Sequence, residues 1–147
     1  MSVGEFVMST TLIRDSIDEL IGEERTSEFG LAKLVENGLP VARLSILKAH
    51  GVTFTEMSEI VISPRTLKHR KARGERLSDE ETDRMVRVAR IIALANSVFG
   101  DPQKALKWLR TESTAMGGRR PLSMLRTDAG GRLVEGKLWQ IDEGMFA

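Results

Sequence analysis

The sequence predicts an all-α protein. Three observations carry that expectation. Apolar residues recur at helical spacing over most of the 147 residues. Glycines and prolines fall between those runs, where helices stop and restart. No segment alternates convincingly as a strand, and no repeat or low-complexity stretch breaks the pattern.

Residues 1–10 carry no clear period. Leu12, Ile13, Ile17, Leu20 and Ile21 then share one face and predict a helix over 11–22. Leu31, Leu34 and Val35 predict a short helix over 30–37, broken by Gly38-Leu39-Pro40. Pro40 suits the first turn of the next helix, because its ring fixes φ and that turn has no N–H partner to lose. That helix buries Val41, Leu44 and Leu47 and stops at Gly51. Thr53 or Thr55 caps a helix whose inward positions are Met57, Ile60 and Val61. Ser63-Pro64 reads as an N-cap followed by proline at the first helical position. Leu67 is the one strongly apolar residue of that helix before Gly74. Ser78-Asp79-Glu80-Glu81 is a capping box, with acids where the helix dipole favours them. It opens a helix from 79 to about 99, striped by Met85, Val88, Ala89, Ile92, Ala95 and Phe99. Ile91, Leu94 and Val98 widen the stripe, which marks the central helix. Gly100-Asp101-Pro102 stops and restarts the chain, and Ala105, Leu106 and Leu109 line the next helix. Gly117-Gly118 opens a loop. Pro121 begins a short helix holding Leu122 and Leu125. Thr127 caps a last helix with Leu133, Val134, Leu138 and Ile141. Gly144 ends it, leaving Met145-Phe146-Ala147 as a short apolar tail.

Composition excludes several chemistries. Twenty-two Lys and Arg against 21 Asp and Glu give a net charge of +1, so overall charge explains no binding. The chain has no cysteine, which removes disulfides, thiolate zinc sites and cysteine nucleophiles and fits a cytoplasmic setting. His50 and His69 lack any metal-ligand spacing. There is no GxSxG, phosphate-binding loop or GxGxxG, so no cofactor, metal or catalytic site is expected. The longest uncharged run, Ile91 to Gly100, is far shorter than the ~18 residues of a membrane span. No signal peptide is expected either.

Charge is concentrated locally. Met1 to Asn37 holds eight acids and three bases; Ser63 to Arg76 holds six bases and one acid, Glu75. A helix over 53–61, a very short turn and a base-loaded second helix follow helix-turn-helix grammar. Ser63 caps that second helix and offers its first turn to a phosphate. Arg65, Thr66 and His69 are candidates for base edges. Lys68, Arg70, Lys71 and Arg73 are candidates for phosphates or further base edges. The competing reading is a solvated basic face, or one that meets an acidic protein surface. Trp139, Met145 and Phe146 form a second candidate surface, against the alternative that the tryptophans Trp108 and Trp139 simply pack in the core.

Taken together, SPRTLKHRKARGERLSDEETDRMVRVARI from Ser63, VFGDPQKALKWL from Val98, GGRRPLSMLRTDAG from Gly117 and LWQIDEG from Leu138 resemble the Xre/MbcA/ParS-type antitoxins. The likeness runs from about Gly38 to the end. It implies a type II antitoxin with an Xre-like helix-turn-helix domain over 38–77 and a C-terminal toxin-binding domain over 78–147, after an N-terminal segment over 1–37. The implied partners are a RES-domain toxin that consumes NAD and operator DNA, with the chain a homodimer inside a toxin–antitoxin hetero-oligomer. By position, Trp139, Asp142, Glu143, Gly144, Met145 and Phe146 would plug the toxin's NAD site. Asp142 and Glu143 suit cations in a pocket built for pyrophosphate. Autorepression of its own operon would follow from the helix-turn-helix. The alternatives are a stand-alone dimeric helix-turn-helix regulator and, far behind, a small helical enzyme.

Overall fold

The computed structural model of the chain describes residues 17–19, 21 and 27–144. The described part of the helix expected over 11–22 is helical, with Ile21 fully buried; its other residues lie outside the described set. Helix α1 spans Glu28–Asn37, two residues earlier than its apolar period suggests, because Ser27 Oγ accepts from Gly30 N at 3.0 Å and sets the start. Gly38 ends it at φ +79°, and a Cβ there would stand 2.2 Å from the Leu77 carbonyl oxygen. Only glycine satisfies both conditions. Arg76 Nε donates to the Gly38 carbonyl at 2.8 Å, and Leu77 N donates to Leu39 O at 2.9 Å. The chain therefore crosses itself tightly at this point.

The helix expected after Pro40 is divided. A 3-10 turn, Val41–Arg43, leads into α2, Leu44–Ala49. Helix α3, Phe54–Ile60, is capped by Thr53 rather than Thr55, since only Thr53 has a glutamate three residues on: Glu56 N donates to Thr53 Oγ1 and Thr53 N to Glu56 Oε1. Helix α4 is Pro64–Arg73, capped by Ser63 and closed by Gly74 in the left-handed region. Helix α5, Asp79–Phe99, starts at the Ser78–Glu81 capping box.

Helix α6, Pro102–Arg110, begins under the Asp101 cap. The following loop carries one antiparallel bridge, Ser113 to Arg119, around the positive-φ pair Gly117-Gly118. The short helix expected from Pro121 is a 3-10 segment, Pro121–Arg126. Helix α7, Asp128–Gly144, closes the described chain, with Thr127 Oγ1 accepting from Gly130 N at 3.0 Å.

Helix α5 is the axis of the molecule. Residues 91–95 are buried on every side, and Met85, Val88 and Ala89 are sealed off as well. Around them close Leu39, Leu47 and Ile60 from the N-terminal half and Leu109, Leu125 and Leu138 from the C-terminal half, all in one cluster. The α7 stripe is narrower than expected. Val134 and Leu138 are buried, but Leu133, one step around the helix from Val134, is 46% exposed. No helix among the described residues is long and apolar enough to cross a membrane.

Candidate functional site

Helix α4 has no buried residue. Its one strongly apolar residue, Leu67, is half-buried against the core, so packing alone holds it weakly. Two polar devices on α5 add what packing lacks. Arg84 Nε donates to the Val61 carbonyl at 2.8 Å and fixes the turn between α3 and α4. Arg70, one turn after Leu67 on the inward side, grips Glu81 with Nε at 3.0 Å and Nη2 at 3.2 Å, and Glu75 with Nη1 at 2.7 Å.

Glu81 is only 5% exposed, and its Oε1 also accepts from Ser78 N. Burial alone would raise its pKa. The hydrogen bonds from Arg70 and Ser78, with the charge of Arg70, outweigh that and hold the carboxyl below the usual range. One glutamate therefore caps α5 and clamps α4 to it.

The remaining predicted base-helix residues fall on the outside. Arg65, Lys68, His69 and Arg73 are exposed, as is Lys71. Ser63 Oγ accepts from Thr66 N at 3.2 Å and donates to Thr66 Oγ1 at 2.8 Å, so those hydroxyls are turned toward each other at the start of the helix. Arg70 parts company with this group. The sequence groups it with the candidates for phosphates or further base edges, but both sides of its guanidinium are committed to carboxylates of its own chain.

A second clamp of the same design joins the two halves. Arg110 on α6 donates from Nε to Glu56 Oε2 at 2.8 Å and from Nη2 to Glu56 Oε1 at 2.7 Å, and also reaches the Gly51 carbonyl. Burial would raise the Glu56 pKa, yet the Arg110 and Thr53 hydrogen bonds leave it lowered overall. The Thr53–Glu56 box was within reach of sequence reasoning; Arg110, 54 positions on, carried no local signal.

At the other end, Trp139 is 41% exposed while Trp108 is half-buried and lies 5.9 Å from the Phe99 ring. Core packing thus accounts for Trp108 and leaves the Trp139 indole at the surface. Asp142 is half-buried, and Glu143 and Gly144 are exposed. Trp139, Asp142 and Glu143 recur within one turn of α7 and share one stripe. Met145 and Phe146 lie outside the described residues. Among the described residues, no group of three or more His, Asp or Glu side chains is arranged to hold a metal ion.

Two family models match this chain. The antitoxin Xre-like helix-turn-helix domain covers residues 30–90, and the antitoxin Xre/MbcA/ParS C-terminal toxin-binding domain covers 94–144. Antitoxin Xre of Pseudomonas putida is 36% identical over 121 residues, 82% of this chain and 76% of that protein. The chain belongs to the Xre/MbcA/ParS-type antitoxins. Antitoxin Xre of Yersinia enterocolitica is 32% identical over 108 residues, 73% of this antitoxin and 66% of that one. The Prs ADP-ribosylating antitoxin of a Sphingobium species is 24% identical over 139 residues, 78% and 87% of the two chains. In this antitoxin α3 and α4 lie inside the helix-turn-helix match. Trp139, Asp142 and Glu143 lie inside the toxin-binding match. The first match ends and the second begins within α5.

Proposed function

We propose that this antitoxin neutralises a RES-domain toxin that consumes NAD, and that it does so by seating the Trp139–Phe146 segment at the toxin's NAD site. The observation that carries this is the stripe at the end of α7 formed by the exposed Trp139 indole, the exposed Glu143 and the half-buried Asp142, inside the segment matched by the toxin-binding model. An aromatic face suits a nicotinamide or adenine slot, and carboxylates suit the cations that hold a pyrophosphate. The name of the Sphingobium relative refers to ADP-ribosylation, a transfer whose donor is NAD, and this agrees with an NAD-handling partner. The same reading assigns operator binding and autorepression to Ser63, Arg65, Thr66, Lys68, His69 and Arg73. It divides the chain near residues 37 and 77 and makes the working species a homodimer within a toxin–antitoxin complex in the cytoplasm. The experiment is co-expression with a RES-domain protein encoded beside this chain. A stable complex that no longer consumes NAD supports the reading. A free antitoxin beside an active enzyme, with operator binding intact, favours a stand-alone regulator.

A further inference from the structure

The 3-10 segment Pro121–Arg126 belongs to the toxin-binding match, yet it packs against α3, the first helix of the helix-turn-helix. Its last residue is held by backbone. Arg87, itself paired with Asp83 at 2.7 Å, donates from Nη1 to the carbonyls of Leu125 and Arg126 at 3.2 and 3.3 Å. The Arg126 side chain is thereby sent from a fixed root into solvent, where it is exposed. It borders a groove of about 490 Å³ shared with Ser63, Thr66, Arg84 and Glu59. Arg84 spends Nε on the Val61 carbonyl. Among the described residues, no carboxylate forms an ion pair with Arg84 or Arg126.

We propose that Arg126, with Arg84 beside it, extends the DNA-binding face by holding a backbone phosphate next to the α3–α4 turn. The inference rests on the reading of α4 as a DNA-binding helix. It goes beyond that reading by making the interface composite, with one contact supplied by the toxin-binding half. Charge complementarity argues for it. Two guanidinium groups without carboxylate partners border the same groove as Ser63 and Thr66, at the start of the helix that carries the exposed Arg65 and Lys68. Of the acids there, Glu81 is committed to Arg70 and Ser78, which leaves Glu59 as the opposing charge on that groove. On its other side Arg126 borders a second groove with Asp79, Glu80 and Asp83, of which Asp83 is committed to Arg87. A phosphate contact there is positional, so it acts on all sequences alike and through counterion release.

The test uses the full chain and a labelled duplex taken from directly upstream of its coding sequence, titrated by fluorescence anisotropy across a range of KCl concentrations. Arg126→Ala is expected to weaken binding about fivefold and make the log–log salt slope shallower by about one, with Arg126→Lys restoring most of both. Glu59→Gln is expected to tighten binding about twofold. Lys104→Ala, on the first turn of α6, leaves affinity unchanged. An unaltered thermal midpoint for Arg126→Ala ties its effect to the contact rather than to folding. If Arg65→Ala weakens binding and Arg126→Ala matches the unmodified chain in affinity and slope, the composite face is wrong while α4 keeps its role. If the unmodified chain does not bind the duplex even at low salt, both readings fall together.

Discussion

Arg65 and Arg70 stand five positions apart on one helix and do different work. Arg65 is exposed; Arg70 is committed to Glu75 and Glu81. Arg70→Ala leaves the buried Glu81 carboxylate without its main partner and is expected to lower stability measurably, read as a lower midpoint of urea unfolding. Arg65→Ala is expected to leave the unfolding curve in place and weaken operator binding. A reversed pattern would reassign both residues. The two capping-box glutamates also set the response to acid. Glu56 and Glu81 have lowered pKa values when folded, so below the ordinary glutamate value of about 4.3 the unfolded chain takes up protons first. Their contribution is full above that pH and is lost as pH falls through the folded values. The thermal midpoint should therefore drop on acidification below about pH 4.5, and more shallowly in the Glu56→Gln, Glu81→Gln double variant. Each box is a local pattern of four residues; the Ser78 box is plain in the sequence, while at α3 the sequence leaves Thr53 and Thr55 both open. The arginine partners of the two boxes sit 11 and 54 positions away, where no periodicity reaches.

Among the elements, helix starts were the most legible feature. Ser63, Ser78 and Thr127 cap as their sequence context predicts, because capping depends on a few adjacent atoms. What the chain does between helices was less legible. Val41–Arg43 and Pro121–Arg126 wind as 3-10 turns, a choice made by what they pack against. Leu133 reads as core from its neighbours in sequence and is exposed, since the buried stripe of α7 is only as wide as the groove it fills. Gly130 shows how close that fit is. A Cβ there would stand 1.9 Å from the Met124 carbonyl oxygen, so α7 lies against the 3-10 segment with no room for a methyl group. Gly130→Ala is expected to cost about 2–3 kcal/mol despite the higher helix propensity of alanine, measured by denaturant unfolding. A stabilised variant would mean that the two elements separate freely.

The whole molecule places the two matched domains on one core. Helix α5 passes through both matched regions, and Arg110 ties α6 to the Glu56 cap of α3. The all-α class and the basic helix were legible in the sequence because each follows from local patterning. The joining of the halves was not, because it depends on contacts far apart in the chain. In this account the two surfaces share a scaffold and differ in chemistry: cations on α4 for a phosphate backbone, an indole and carboxylates at the end of α7 for an NAD site. The most direct measurement is NAD consumption by the RES-domain toxin titrated with two variants. The Arg65→Ala, Lys68→Ala double variant is expected to silence the toxin fully while failing to bind operator. The chain lacking residues 142–147 is expected to fold, bind operator and leave NAD consumption running. Complete inhibition by that shortened chain would contradict occlusion by the C-terminal segment.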